Sequence, residues 1–158
     1  MVFADLSYID MLKRIGFRGY ARQDFISPDR NPELFDAFDG EFSFGERHVY
    51  PNAKYVKEIL DQIPCSQRDR EYLGQLIAES VQNAFEWGNK RAGHLPILIE
   101  VATGKKGSAL RISDTGKGHD YKTRTSQRGG TATRLMELTD IEVAPEKGSI
   151  NFKIMHEN

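Results

Sequence analysis

Residues 76–90 read LIAESVQNAFEWGNK, and this stretch decides the fold because it predicts a long amphipathic helix that carries polar residues. Apolar residues recur at intervals of three and four, which predicts that one face packs on a core: Leu73, Leu76, Ile77, Val81, Ala84 and Phe85. Glu79 and Asn83 are four residues apart, so they lie on the same side of the helix, about one turn from each other. Their carboxylate and carboxamide oxygens are of the kind that Mg²⁺ accepts. The alternative, which this helix alone favours, is a solvated polar edge.

A second stretch, residues 108–120, reads SALRISDTGKGHD and predicts a strand that runs into a glycine loop. Asp114 stands at the end of the strand, where its carboxylate could accept a hydrogen bond from an exocyclic amine in a pocket. Gly116 and Gly118 follow, and glycine allows the backbone to approach a ligand closely. An ordinary tight turn explains the same residues, but the order of features along the chain favours a binding site.

A basic loop and a pair of glycines complete that order. The loop has four cations opposed by Asp120 alone, and this excess of positive charge suits a polyphosphate: Lys117, Lys122, Arg124 and Arg128. Lys117 and Arg128 are the first candidates for phosphate contact, although a solvated surface loop is the alternative. Gly129 and Gly130 then open a predicted helix, 131–138, whose N-terminus would bind an anion through unpaired N–H groups and the helix dipole.

This order of motifs resembles that of the Bergerat-fold ATPases, the family that includes gyrase, histidine kinases and MutL. Within the family, the chain looks most similar to the small stand-alone anti-sigma-factor serine kinases. The first motif is matched by Glu79-x-x-x-Asn83-Ala84, continued by Trp87-Gly88-Asn89, and the second by Asp114-x-Gly116-x-Gly118. The third is matched loosely by Gly129-Gly130 with Leu135 and Met136. The resemblance covers roughly residues 42–155.

The resemblance implies a role for each matched residue. Asn83 would hold Mg²⁺, Glu79 would be the general base, and Asp114 would bond the amine of adenine. The glycines of the second motif, Gly116 and Gly118, would shape the adenine pocket. The remaining nucleotide contacts would come from the lid and the helix that follows it: Lys117, Arg128, Gly129, Gly130 and Thr131.

The function that the resemblance implies is an ATP- and Mg²⁺-dependent protein serine/threonine kinase. Its substrate would be a small antagonist protein, and its other partner a sigma factor. The alternative is a nucleotide-responsive binding module that does no chemistry, in which nucleotide only orders the lid, 121–128, to present a protein surface. The short lid favours this alternative, as does Ala132, where the family usually has another glycine. A scaffold that binds no nucleotide, with Trp87 filling the space, is the third hypothesis and ranks last.

Composition excludes several other classes of protein. At 158 residues the chain is long enough for one domain with a core, and 39% apolar with 28% charged residues is typical of a soluble globular protein. A net charge of −1 gives no case for binding nucleic acid or a membrane surface. Cys65 is the single cysteine, and the four histidines show no metal-ligand spacing. We find no leader-like segment and no stretch long enough to span a bilayer, and therefore expect a cytoplasmic location.

The predicted elements describe an α+β fold, a two-layer α/β sandwich with helices on one face of a mostly antiparallel, mixed sheet. We divide the chain into an N-terminal helical arm, 1–40, and a nucleotide-binding domain, 41–158. The arm has predicted helices ending at Arg14 and Phe38 and either packs on its own domain, which we favour, or forms a homodimer or partner surface. The domain comprises, in order, a strand at 41–49, helices at 53–63 and from 67 to about 90, strands at 96–102 and ending at Asp114, a helix at 131–138, and a hairpin of 141–144 with 149–155.

Overall fold

The computed structural model describes residues 5–39, 47–116, 120 and 140–156 of the chain. Its helices are α1 (Tyr8–Ile15), α2 (Ala53–Leu60) and α3 (Gln67–Asn83). Its strands are β1 (Phe17–Ile26), β2 (Phe35–Asp39), β3 (Arg47–Pro51), β4 (Ile97–Gly104), β5 (Gly107–Asp114), β6 (Glu142–Glu146) and β7 (Ser149–Met155). The α+β class predicted from the sequence is therefore confirmed.

Five of the strands form one sheet in the order β1-β4-β5-β7-β6, and β2 pairs with β3 in a separate two-stranded sheet. Every pairing between these described strands is antiparallel, so the predicted mixed character of the sheet is not found among them. The predicted hairpin near the end of the chain is confirmed as β6 and β7. The predicted strand that ends at Asp114 is also confirmed, as β5.

One face of the large sheet carries the main apolar core. Because side chains alternate along a strand, Ile97, Ile99 and Val101 of β4 point to the same face, and they are fully buried. They pack with residues of α2 and α3, among them Val56, Ile59, Leu73, Leu76 and Ile77. The apolar stripe predicted for the long helix is therefore the surface that α3 buries.

The opposite face of the sheet is covered in part by α1. Its residues Met11 and Ile15 are buried with alanines from three strands, Ala102, Ala109 and Ala144. The prediction that the helices lie on one face therefore holds for α2 and α3 but not for α1. Small side chains on the strands allow a short helix to pack closely there.

The same face also carries buried charges beside α1. Glu100 is 4% exposed and accepts hydrogen bonds from Arg111 at 2.8 Å and Gln23 at 3.2 Å. Lys153 is 5% exposed and pairs with Glu142 at 2.7 Å. Paired and hydrogen-bonded charges of this kind tolerate burial, whereas isolated ones do not.

The sequence also predicts N-caps at Ser7, Asn52 and Ser66, where serine or asparagine stands just before a helical pattern, and the three described helices begin there. The side chains of Ser7, Asn52 and Ser66 each accept a hydrogen bond from a backbone N–H in the first turn. Gly16 ends α1 with a left-handed conformation, φ 68°, which glycine adopts at little cost. Local capping chemistry therefore sets where these helices start.

Three expectations about the elements were wrong. The helix expected from Asn31 through Phe38 is a 3₁₀ turn, Pro32–Leu34, followed by β2, because the Asn31 side chain accepts from the N–H of Ser27 and does not cap a helix. The segment 17–26, for which the sequence shows no clear period and no element was predicted, is β1, and two register irregularities interrupt its alternation. The long helix expected to reach about Lys90 ends at Asn83 and continues as a π-helical turn, Ala84–Gly88.

The N-terminal arm is helical only in α1, since β1 joins the large sheet by pairing with β4. Buried residues on both sides of residue 40 contribute to one core, for example Ile26 with Ile97. The predicted helix at 131–138 and the first part of the predicted strand at 41–49 lie outside the described residues.

Candidate functional site

Glu79 and Asn83 line one open cavity on α3. The cavity has a volume of about 510 Å³ and lies between α3 and Tyr50 of β3. Its other lining residues also belong to α3 and the turn that follows it: Gln75, Ala78, Gln82 and Glu86. The predicted proximity of Glu79 and Asn83 is thus found, in a cavity lined by carboxylates, carboxamides and one phenol.

Beyond Asn83 the helix widens before it ends. The N–H of Asn89 donates to the carbonyl oxygen of Ala84 at 2.8 Å, five residues back, which is the hydrogen bond of a π-helix. The N–H of Arg91 donates to the carbonyl oxygen of Phe85 at 2.8 Å. Lys90 and Arg91 follow with φ 51° and 61°, a left-handed conformation that is uncommon outside glycine. Such turns often occur at functional sites, and here the π turn sets the position of Gly88 and Asn89.

Asp114 closes β5 on the same face of the sheet as α3. It alternates with Leu110 and Ile112, which belong to the main core, and it is 9% exposed. Its Oδ1 accepts a hydrogen bond from the N–H of Gly116 at 3.1 Å, and its own N–H bonds to the oxygen of Gly148 at 3.0 Å. The carboxylate predicted at the end of this strand is therefore held in a defined, mostly buried position.

Two glycines bring the helix end and the strand end into direct contact. A Cβ placed on Gly88 would lie 2.5 Å from Cγ and Oδ2 of Asp114. A Cβ placed on Gly116 would overlap the carbonyl oxygen of Gly88. Both positions therefore require glycine for a steric reason, and the two sequence motifs that contain them form one packed unit.

Asn89 joins this unit from the helix side. Its Oδ1 accepts from the N–H of Thr115 at 3.0 Å, and its Nδ2 donates to the oxygens of Leu95 at 3.2 Å and Pro96 at 3.1 Å. The residue is 2% exposed. Asn89 belongs to the first sequence motif, but no role could be predicted for it, because its partners lie 6 to 26 residues further along the chain.

A smaller cavity of about 350 Å³ is lined by residues of the π turn and the segment that follows it, Glu86, Trp87, Lys90 and Arg91. Glu86 belongs to both cavities. It accepts a hydrogen bond from Gln82 at 3.2 Å, and its Oε2 lies 3.8 Å from Arg91 Nη2. The positive charge of Arg91 thus partly offsets the negative charge of Glu86. Glu79 is the other carboxylate that lines the larger cavity.

The residues of the larger cavity suit Mg²⁺ in one respect. Mg²⁺ in nucleotide sites takes one or two protein oxygens and completes its shell with phosphates and water, and the carboxamide of Asn83 provides one such oxygen in this cavity. No cluster of three or more His, Cys, Asp or Glu that could hold a metal by itself occurs in residues 5–39, 47–116, 120 and 140–156.

Asp114 is not among the residues that line the larger cavity. Among the described residues, the two halves of the predicted site meet through the contact between the helix end and the strand end. The remaining predicted contacts lie outside the described residues: Lys117, Gly118, Arg128, Gly129, Gly130 and Thr131. Their roles stay predictions.

Comparison of the chain with protein-family models, with curated proteins and with solved structures found no match. Within the part of the chain that the structure describes, no helix combines the length and apolar character needed to cross a membrane.

Proposed function

We propose that the protein is an ATP- and Mg²⁺-binding regulatory protein of the Bergerat fold. We further propose that it acts as a protein serine/threonine kinase of the anti-sigma-factor type on a small antagonist protein. The observation that carries this proposal is the contact between Gly88–Asn89 and Asp114–Gly116. Two motifs that are separate in sequence meet there, in the order and with the residue types that the resemblance requires.

In this proposal each described residue has one task. Asp114 accepts a hydrogen bond from the amine of adenine, and Gly116, by packing on the oxygen of Gly88, shapes the pocket for the base. Asn83 contributes an oxygen to Mg²⁺, which would neutralise phosphate charge when bound. Glu79 orients or deprotonates the hydroxyl of the substrate protein.

Calorimetric titration of ATP and ADP with Mg²⁺ tests nucleotide binding. We expect the wild type to bind and Asp114→Asn to bind at least about tenfold more weakly, because a hydrogen bond to a charged acceptor is lost. Asp140→Asn is the matched control, since the side chain of Asp140 is 89% exposed. Absence of binding by the wild type at millimolar nucleotide would reject the proposal.

Transfer of labelled phosphate to the antagonist protein tests the chemistry. Glu79→Gln should bind ATP as the wild type does and lose about 10²-fold or more in transfer rate, which is the usual effect of removing a general base. Glu71→Gln, an exposed position on the same helix, should keep both properties. Equal transfer by Glu79→Gln would remove this residue from the mechanism.

One observation favours the non-catalytic module as a second candidate. The described residues that line the cavity with Glu79 and Asn83 include two carboxylates and no lysine or arginine. Phosphoryl transfer is accelerated by positive charge placed at the transferring group, and in this cavity the described lining does not supply it. ATP binding with no transfer to any antagonist protein, in wild type and Glu79→Gln alike, would establish this second candidate.

A further inference from the structure

We infer that Asn89 is a positioning residue that gives the site its preference for an amine-bearing purine over a keto-bearing one. The inference rests on the proposed function, because it concerns how Asp114 is presented to the base. Asn89 is buried and is not one of the proposed nucleotide contacts, yet its side chain should affect which nucleotide the site prefers.

The geometry places Asn89 between the ends of two neighbouring strands. Residue 97 opens β4, and it is paired with Asp114 at the end of β5. Asn89 donates to the oxygens of Leu95 and Pro96 and so holds the chain just before β4 begins. Asn89 also accepts from the N–H of Thr115 and so holds the chain just after β5 ends. One side chain therefore fixes the backbone on both sides of the Ile97–Asp114 pair.

A further hydrogen bond closes this arrangement. The hydroxyl of Thr115 donates to the oxygen of Pro96 at 2.6 Å, so Pro96 receives bonds from both Asn89 and Thr115. Gly116, the next residue, donates to Asp114 Oδ1. The direction in which the Asp114 carboxylate points thus depends on a loop whose first residue is anchored to Asn89.

Steric contacts leave this loop little freedom to compensate. Gly88 is packed against the Asp114 side chain, and Gly116 is packed against the oxygen of Gly88. A shift of residues 115–116 would therefore change the carboxylate position and the helix end together. Loss of the Asn89 side chain would also leave the Thr115 N–H and two carbonyl oxygens without their buried partner, which favours such a shift.

The position of the Asp114 carboxylate can be tested by measuring how strongly the site prefers adenine to a purine without the amine. ATP and inosine triphosphate share their sugar and phosphates and differ at position 6 of the purine, where one has an amine and the other a keto oxygen. A well-placed Asp114 carboxylate accepts from the amine and is repelled by the keto oxygen. A misplaced carboxylate distinguishes the two less, while contacts to the phosphates remain.

The experiment measures the affinities of ATP and inosine triphosphate, each with Mg²⁺, for the full chain and two variants. We expect Asn89→Ala to lower the ratio of the two affinities by about tenfold, the effect of one displaced hydrogen bond to a charged group. Asn151→Ala is the matched control. Asn151 is a fully buried carboxamide whose Nδ2 bonds to Ala144 O and Glu146, on the face of the sheet that carries α1.

The control separates positioning from stability. Asn89→Ala and Asn151→Ala should lose similar amounts of stability, but only the first should change the affinity ratio. The inference is overturned if Asn89→Ala keeps the wild-type ratio, or if both variants lower it equally. In either case the proposed function still stands. Failure of the wild type to bind either nucleotide overturns the proposed function and the inference together.

A second measurement does not depend on the variants being folded. Hydrogen exchange of the Thr115 backbone amide in the nucleotide-free wild type should be slow, because this N–H donates to a side chain that is 2% exposed. Exchange at the rate of an unprotected amide would mean that the loop is not anchored before nucleotide binds. That result would overturn the inference whatever the affinities are.

Discussion

Gly74 lies in the middle of α3, and Gly88 ends the π turn that continues it. The two positions differ in how much space there is for an added methyl group. At Gly88 the added carbon would lie 2.5 Å from Asp114 Cγ, whereas at Gly74 its nearest neighbour would be Leu60 Cδ1 at 3.4 Å. Gly88→Ala should therefore lower the free energy of unfolding by about 1–3 kcal/mol, as overpacking does. Gly74→Ala should raise it by about 0.5–1 kcal/mol, since alanine is the better helix former. Urea unfolding of both variants measures this, and equal effects would contradict the packing of Gly88 on Asp114.

Residue-level predictions from the sequence were accurate where the cause is local. The caps at Ser7, Asn52 and Ser66 depend on a side chain and an N–H three residues on, so the sequence displays both partners. Glu79 and Asn83 share a cavity for the same reason, because helical spacing brings them together. Asn89 could not be assigned in this way, since its acceptors and donors belong to strands that the fold brings to it.

At the scale of elements, Tyr55 ties α2 to β1. Its hydroxyl donates to Asp24 Oδ2 at 2.7 Å, and Asp24 is also paired with Arg22. Burial, with the hydrogen bond to Asp24, raises the pKa of Tyr55 above its ordinary value of 10.0. A raised pKa means that the stabilisation is present below about pH 10 and is lost as the pH rises further.

Tyr55→Phe should therefore lower the free energy of unfolding at pH 7 by about 1–2 kcal/mol, because a buried hydrogen bond to a charged acceptor is removed. Tyr72→Phe, at a half-buried tyrosine that packs beside the main core, should change it by less than about 0.5 kcal/mol. Urea unfolding at pH 7 and at pH 10.5 provides the comparison. The difference between wild type and Tyr55→Phe should shrink at the higher pH, and a constant difference would show that the hydroxyl is not the cause.

Besides their packing in the main core, α2 and α3 are joined at the surface by an electrostatic contact. Asp61 follows α2, and its two carboxylate oxygens accept from Arg70 of α3 at 2.6 Å and from Lys57 at 3.1 Å. The hydrogen bond from Arg70, and then that from Lys57, holds the pKa of Asp61 below its ordinary value of 3.8. A lowered pKa stabilises the fold above about pH 4, and this contribution is lost as the pH falls through the folded-state pKa.

Arg70→Gln should raise the pKa of Asp61 towards 3.8, with little effect on stability at pH 7 because the carboxylate is exposed. Arg68→Gln is the control, since Arg68 lies near Asp69 and Asp140 and not near Asp61. Titration of the Asp61 carboxyl by nuclear magnetic resonance measures the change. An unchanged titration curve in Arg70→Gln would contradict the assignment of Arg70 as the main cause.

Elements with a regular pattern were predicted from the sequence, and those whose pattern is interrupted were not. β4 and β5 alternate or run apolar without a break, and both were expected close to their observed bounds. β1 carries two register irregularities, so its exposed and buried positions follow no fixed period. The end of α3 was overestimated because a π turn continues a helical pattern while changing its geometry.

At the scale of the whole molecule, the N-terminal arm is part of the folded unit. β1 forms one edge of the large sheet, and α1 buries Tyr8, Met11 and Ile15 against it. The pairing of β1 could not be predicted from the sequence, because its partner β4 lies some 80 residues further along the chain. From the sequence we favoured packing of this arm on its own domain and described the arm as helical; the strand β1 within it was not foreseen.

A chain that begins at Gly40 should accordingly lose its cooperative unfolding transition. The deletion exposes β4 as a new sheet edge and uncovers the side chains that α1 protects, at a cost of about 2–5 kcal/mol for each large buried side chain that is lost. A chain that begins at Asp5 keeps the Ser7 cap and both elements, and it should unfold like the full chain. Circular dichroism during thermal unfolding distinguishes the two, and a sharp transition in the shorter chain would show that the arm is dispensable.

The different character of the two sheet faces has a consequence for how the chain avoids misfolding. On β4, Glu100 alternates with Ile99 and Val101, and on β5, Arg111 alternates with Leu110 and Ile112. A slip of one residue between these strands would move a charge into the apolar core and break the Glu100–Arg111 pair. A mispaired sheet would therefore be destabilised both by the buried charge and by the lost ion pair. The Glu100–Arg111 pair thus favours the native strand register while the sheet assembles.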